Sequence, residues 1–487
     1  MDDGGSEHSD YSWEAQDAKR YSLSFPLRTI RKTQDWPGQA MINALLTYFK
    51  TGPIRPLLTD PAAIRSFYER KRWSIFLSLI IGYAFFYTCR LGLSVTKKPL
   101  LDAGVLTASE MGIIGAVLLY VYAVGKFVNG VLADHANIRR FMAWALLLSA
   151  VVNIAFGYTN LFLGFVILWG LNGWFQSIGS APSVVSLCQW FSNRERGTRY
   201  GIWAGAHNLG EGLTFVVVAW LVGHFGWRAG FVGPGLICVF VALTMFRTLG
   251  DRPQTYGLPH VADYTNDHSA GPPPTESTAA LQKLVFRNPW VWLLALSCAL
   301  MYVARYAINN WAILFLQETK HYSLTEAGFV MGTYPVTGFI GAAASGWMSD
   351  KFFGSRRNSP TLIYGLLQTG GMILLFLVPP GHRWLDAVAM GIFGFGVGGL
   401  IVFLAGLIAV DIMPKAVAGT VKGLIGIFAY LGAGTQDWIS GWLLDGHKTV
   451  VAGKIIYNFA PAFYFWIGAS VLSVVLAACA WNVKPRE

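Results

Sequence analysis

Apolar runs of about 20 residues, the length at which a helix crosses the hydrocarbon of a bilayer, recur near 73–97, 108–133, 139–159, 161–190, 199–223 and 227–248. The polar stretch DRPQTYGLPHVADYTNDHSAGPPPTEST (251–278) then interrupts them and reads as a flexible linker. Six more runs follow, near 289–317, 326–349, 359–379, 384–410, 417–443 and 459–482. The pattern predicts an all-α membrane protein with twelve transmembrane helices in two six-helix halves, residues 71–250 and 288–487. A cytoplasmic linker, 251–287, joins them, and a cytoplasmic extension, 1–70, precedes them. The extension opens MDDGGSEHSD, without the basic start of a signal peptide or the arginine-rich character of a transit peptide. Its Trp36-Pro37-Gly38 and Pro53, Pro56 and Pro61 leave room for short amphipathic pieces along the membrane.

Composition agrees, since 54% of residues are hydrophobic and only 13% charged, a balance foreign to soluble domains. The net charge of +11 sits in short clusters between apolar runs, as in the cytoplasmic loops of membrane proteins, and no soluble basic domain is present to bind nucleic acid. Those clusters (Arg139 and Arg140; Arg194, Arg196 and Arg199; the linker flanks; Lys351, Arg356 and Arg357; Lys415) fall in alternate loops. With an even number of spans, both termini are expected in the cytoplasm of a cell whose inner, or plasma, membrane holds the chain. The five cysteines lie in or beside apolar runs without CxxC spacing, and packing is their expected role.

The halves repeat. Arg90 and Arg305 are 215 apart (305 − 90), the GxxxD motifs ending at Asp134 and Asp350 are 216 apart (350 − 134), and GTRYG (197–201) precedes GTVKG (419–423) by 222 (419 − 197). Ordered matches at nearly constant offset argue for parallel halves related by an axis along the membrane normal, with a path between them. In that frame Arg90 and Arg305 face each other near the midplane. Each costs about 2.5–3.5 kcal/mol to insert at a helix centre, and the guanidinium fork matches phosphate oxygens two at a time. The alternative for either arginine is an internal carboxylate or helix-end carbonyls. Lys126 adds a third interior cation and His207 a donor that titrates near neutral pH, with snorkelling or packing as their other readings. Tyr83, Tyr87, Tyr302 and Tyr430 share helices with these charges and offer phenols to phosphate or sugar hydroxyls, or simply pack. Two intramembrane acids, Glu211 and Asp437, are fewer than the cations; they either offset them or bond between helices, Asp437 with sugar hydroxyls as a further option. Asp134, Arg139, Asp350 and Arg356 suit a cytoplasmic gate. GFGVGG (394–399) lies inside an apolar run with no preceding strand, so it reads as helix packing rather than a dinucleotide loop. The sequence shows no Walker loop, metal-ligand cluster or Ser/His/Asp set, so neither an enzyme nor a cofactor is expected.

The stretches GYAFFYTCR (82–90), VGKFVNGVLAD (124–134), LNGWFQSIGS (171–180), AHNLG (206–210), GWRAGF (226–231), DRPQTYGLP (251–259), YVARYAINNW (302–311), GWMSDKFF (346–353) and FAYLGA (428–433) resemble the organophosphate:phosphate antiporters of the major facilitator superfamily, over residues 70 to 482. GWRAGF, DRPQTYGLP and Asn288-Pro289-Trp290 are similar to the hexose-phosphate transporter and sensor branch. The resemblance implies the major facilitator fold, a phosphate clamp at Arg90 and Arg305, the helix-two lysine at Lys126, the helix-five histidine at His207, and binding-site or cavity tyrosines at Tyr83, Tyr87, Tyr302 and Tyr430. Departures from the family pattern are Leu91, Asn310, Gly399-Leu400-Ile401, Pro335 and Trp442, which leave the clamp in place and change what surrounds the organic moiety. The expected function is exchange of a sugar phosphate, hexose 6-phosphate first, for inorganic phosphate by a monomer in a lipid bilayer; the alternative is a sugar-phosphate sensor signalling to a membrane histidine kinase.

Overall fold

The computed structural model describes residues 37–267, 278–353, 357–408, 412–413, 417–451 and 454–481. Arg356 and residues 1–36 of the extension lie outside the described residues, as does the side chain of Asp350. Among the described residues eleven segments are long and apolar enough to cross a membrane. They are spans 1 to 10 (Pro61–Asp102, Ala108–Ala133, Ile138–Tyr158, Phe162–Trp190, Arg194–Phe225, Ala229–Thr248, Pro289–Glu318, Leu324–Phe353, Asn358–Leu377 and Arg383–Ala405) and span 12 (Ala460–Cys479). Span 11, helix Ala418–Gly446, is as long as the others but carries the polar run Thr435-Gln436-Asp437 in its middle. Span 1 begins at Pro61, within the segment expected to be extension, because Asp60 caps it by accepting from the Ala62 amide at 3.0 Å and Pro61 needs no hydrogen bond at a helix start. The short helix Pro37–Phe49 forms a separate unit with Met41, Leu45 and Leu46 exposed. Among the described residues the departure from an all-α chain is the antiparallel hairpin of β1 (Lys448–Val451) and β2 (Lys454–Tyr457) between spans 11 and 12.

The repeat seen in the sequence reappears in the packing. Span 1 packs on 5 and 6, span 3 on 4 and 6, and span 2 on 4; equivalently, span 7 packs on 11 and 12, span 9 on 10 and 12, and span 8 on 10. The halves then join through span 2 on 11 and span 5 on 8, which are repeat-related contacts. Small residues permit the first of these, since a Cβ on Gly112 would lie 2.6 Å from the Asp437 carbonyl oxygen and one on Gly441 2.5 Å from that of Ala108.

These close approaches lie at the end of the bundle away from the linker. There Lys98 pairs with Glu318 and the Ser109 amide donates to Asp445 at 2.7 Å, while nearer the middle of spans 2 and 11 the phenol of Tyr120 meets the hydroxyl of Thr435 at 3.0 Å. At the linker end the glycines of both GTRYG and GTVKG have nothing within 4 Å of where a Cβ would stand, and the same is true of Gly346. The halves are therefore joined at the far end, and the glycines of their linker-end motifs face open space.

A strap formed by residues 50–58 holds the linker end of the first half. Lys50 bridges Ala136, the Gly52 amide donates to Asp251 Oδ2 at 3.0 Å, and the amides of Arg55 and Leu58 donate to the carbonyls of Gln254 and Gly257. Asp251 also accepts from Asn137 Nδ2 at 2.9 Å, while its own carbonyl accepts from Trp190 Nε1. Burial holds the Asp251 carboxyl above its ordinary range, and the Gly52 amide offsets only part of that rise. Asp251→Ala strands two donors, so it should lower stability by about 2 kcal/mol or more, read as a fall in the melting temperature of the detergent-solubilised protein. Asp251→Asn, which keeps one acceptor, should lose less.

Candidate functional site

Span 1 is broken where Arg90 stands. Helix Pro61–Thr88 ends, helix Gly92–Asp102 begins, and the amides of both Arg90 and Leu91 turn back to the Tyr87 carbonyl at 3.0 and 3.1 Å. The Arg90 guanidinium lies over the rings of Tyr122, 4.3 Å away, and Tyr87, 4.6 Å away, and is buried to 5% exposure. Its Nε and Nη1 have no hydrogen-bond partner. Buried guanidinium donors without acceptors are costly, and an anion is the group that satisfies them.

Arg305 is held differently. Span 7 is one continuous helix, Pro289–Glu318, and Arg305 projects from it to donate Nη2 to Glu211 Oε1 at 2.9 Å and Nε to the Tyr334 phenol at 3.1 Å. Asn309 Nδ2 reaches the same Glu211 oxygen at 3.3 Å. The two arginines line separate pockets: Arg90 shares one with Ser94, Lys97, Tyr306, Asn310 and Asp437, whereas Arg305 shares another with His207, Asn208 and Tyr334. The matching sequence positions thus carry unlike environments, one arginine open to a ligand and one already paired.

The remaining expected residues assemble around the two. Tyr83 and Tyr87 meet edge to face at 5.6 Å, Tyr83 lies on Trp203 at 4.7 Å, and Tyr87 on His207 at 5.8 Å. Tyr430 joins the halves by packing on Tyr122 at 4.4 Å and Tyr302 at 5.7 Å, with Lys126 5.2 Å above its ring. His207 Nδ1 donates to the Ala204 carbonyl, leaving Nε2 for another partner. Asp437 accepts from Trp311 Nε1 at 2.5 Å and Asn310 Nδ2 at 3.0 Å, and forms an ion pair with Lys97 of the other half at 3.5 Å. Asp134 is exposed at the end of span 2 and its carbonyl accepts from Arg252; Arg139 is half-buried in the first turn of span 3.

Four participants escaped sequence reasoning: Lys97, Tyr122, Tyr306 and Tyr334. Helical spacing marks two of them, since Tyr122 precedes Lys126 by four and Tyr306 follows Tyr302 by four, whereas the break in span 1 separates Lys97 from Arg90. Nothing in the sequence marks Tyr334.

Charge bookkeeping defines what the site accepts. Glu211 cancels Arg305 and Asp437 cancels Lys97, whereas Arg90 and Lys126 meet no carboxylate among the described residues. Two uncompensated positive charges among phenols, Arg90 buried and Lys126 partly exposed, have the charge to balance a doubly charged anion.

A family model described as Major Facilitator Superfamily matches residues 75–435. The chain is 36% identical over 420 residues to "Membrane sensor protein UhpC" of Salmonella typhimurium, covering 84% of this chain and 94% of that protein. It is 30% identical over 445 residues to "Probable hexose phosphate transport protein" of Chlamydia pneumoniae, covering 88% and 95%. Among solved structures, a bacterial homologue of the human lysosomal transporter Spinster, described as inward-facing and unoccupied, superposes with a TM-score of 0.67 at 17% identity over 85% of this chain and 96% of that one, a likeness of fold alone.

Proposed function

The chain belongs to the organophosphate:phosphate antiporter branch of the major facilitator superfamily, and we propose that it exchanges a sugar phosphate, hexose 6-phosphate first, for inorganic phosphate by alternating access. It is a multi-pass integral membrane protein of a transport family rather than an enzyme. The observation that carries the proposal is the uncompensated pair of Arg90 and Lys126 beside guanidinium donors that have no partner. An empty site of this kind resists closing around itself, and a bound phosphate lowers the cost of bringing the halves together. Loaded carriers then reorient faster than empty ones, which is obligatory exchange.

The positive clusters favour a cytoplasmic linker end, and with that orientation joined far ends and open linker-end glycines correspond to an inward-facing carrier. The first half is then residues 71–250 plus the strap and the start of span 1, the linker 251–287, and the second half 288–487. The gate of Asp134, Arg139, Asp350 and Arg356 would form at the linker end in the opposite state. Lipid and the two phosphates are the partners proposed for a monomeric carrier.

Vesicles reconstituted with the protein and preloaded with inorganic phosphate test the proposal. Uptake of labelled glucose 6-phosphate should accelerate by at least tenfold over unloaded vesicles, and equal uptake from loaded and unloaded vesicles would refute exchange. The likeness to a protein named a membrane sensor favours one second reading, a receptor that binds sugar phosphate and signals to a membrane histidine kinase. Saturable phosphate binding without counterflow would select it.

A further inference from the structure

The break in span 1 leaves the carbonyl of Cys89, the residue before Arg90, outside the helical hydrogen-bond ladder. Two buried amides take it up: Asn153 Nδ2 of span 3 donates at 3.0 Å and Asn172 Nδ2 of span 4 at 2.8 Å. They belong to a wholly buried set in which Ser149 and Asn153 on one helix, and Asn172 and Gln176 on the next, each lie one turn apart and face each other. Ser149 donates its hydroxyl to Asn172 Oδ1 at 2.6 Å, Gln176 Nε2 donates to the Ser149 hydroxyl at 2.8 Å, and Asn153 Nδ2 also reaches the Ser149 carbonyl at 3.0 Å. Polar side chains in a membrane interior ordinarily bond to one another between helices. Here both amides converge on one backbone oxygen, occupying its two lone pairs.

Among its described residues the second half lacks the device. At the offset of 216 that relates the GxxxD motifs, Asn153 corresponds to Thr369 (369 − 153 = 216) and Ser149 to Gly365 (365 − 149 = 216). Span 7 correspondingly runs unbroken through Arg305, which is fixed by Glu211 and Tyr334. A helix break and the amides that satisfy it therefore occur together in one half and are absent together from the other.

We propose that Asn153 and Asn172 are positioning residues of the anion site: by holding the Cys89 carbonyl they maintain the break that turns Arg90 out of helical register and over Tyr87 and Tyr122. Without them the Cys89 carbonyl regains its partner only if span 1 closes into a regular helix, which moves the Arg90 guanidinium off the Tyr122 ring of span 2, while Tyr87, three residues away, stays on the same face. This rests on the reading of Arg90 as a phosphate ligand, and neither asparagine touches the anion. The loss should therefore fall on whatever Arg90 binds, to the same factor for inorganic phosphate and for any organic phosphate.

The test compares Asn153→Leu, Asn172→Leu, the milder Asn153→Ser and Asn172→Ser, and Gln368→Leu, which removes a buried interhelix bond to Ser470 remote from Arg90. Each is purified, its melting temperature measured without ligand, and its half-saturation for inorganic phosphate read from the ligand-induced rise in melting temperature and from exchange. The leucine variants should raise half-saturation about tenfold for inorganic phosphate and glucose 6-phosphate alike, with the serine variants between them and wild type. Gln368→Leu should lower the melting temperature without moving half-saturation. Should a leucine variant fail to fold, the serine variant at that position decides. Unchanged half-saturation in the serine and leucine variants that fold, whatever their melting temperatures, makes the asparagines merely structural and overturns the inference. A wild-type protein that binds no phosphate fails the functional reading instead, a result separate from either.

Discussion

Arg90→Lys should reduce exchange of inorganic phosphate by about a hundredfold or more while the protein still reaches the membrane. Lysine keeps the charge and loses the fork. In this structure Arg90 Nε and Nη1 are the donors without partners, and two charge-assisted hydrogen bonds are worth about 1.5–3 kcal/mol each. Every 1.4 kcal/mol is roughly tenfold, so the loss of even one bond and the geometry of the other reaches that factor. The wild-type packing of Arg90 between Tyr87 and Tyr122 also depends on a planar group, which an ammonium on a flexible stem does not reproduce. Arg305→Lys should also impair exchange, with a smaller change in phosphate half-saturation, because Arg305 donates to Glu211 and Tyr334 before any anion arrives. Uptake into phosphate-loaded vesicles, normalised to protein in the membrane, measures both. Wild-type exchange in Arg90→Lys would mean that phosphate is not held by that fork.

Glu211→Gln should have the opposite sign on binding. Both partners of the Glu211–Arg305 pair are buried, at 1% and 4% exposure, and they come from different halves. Removing one charge from such a pair leaves the other uncompensated at a cost of about 3–5 kcal/mol, so the empty carrier should melt at a lower temperature. The freed Arg305, in its own pocket, then adds an unbalanced charge to the field set by Arg90 and Lys126, so the interior carries three uncompensated cations instead of two. Phosphate half-saturation should fall at least tenfold, equivalent to about 1.4 kcal/mol, while maximal exchange slows because the anion leaves a more positive site. Phosphate-dependent thermal shifts and exchange rates, measured on the same preparation, separate the two effects. If affinity is unchanged, Glu211 serves only as a bond between spans 5 and 7. Asp437 is a different case: Lys97, Asn310 and Trp311 surround it at the junction of the halves, so its removal should loosen that junction as well as alter the pocket beside Arg90.

The chain shares most of its length with a protein named a membrane sensor and with one named a probable hexose phosphate transport protein. In the reading proposed above, exchange and signalling by this chain differ in whether its halves rock when loaded, a property of barrier heights rather than of the ligands to phosphate.

The sequence by itself determined the number and pairing of the spans, because crossing a bilayer demands a fixed apolar length and forbids unpaired backbone. It also exposed the repeat, and with it Arg90, Lys126, His207 and Arg305, because a charge well inside an apolar run stands out, whereas Lys97, at the end of such a run, did not. Only the tertiary structure decided which charges are free. Glu211 and Arg305 lie 94 residues apart and Lys97 and Asp437 340 apart, on spans of different halves, so no local pattern couples them. The same holds for the break in span 1: CRLG at 89–92 contains no proline to announce it, and its carbonyl is satisfied 64 and 83 residues away by Asn153 and Asn172. A repeat in sequence therefore located two arginines as equivalents, and packing made them unequal, because the partners that fix a buried cation arrive from helices whose identity only the fold supplies.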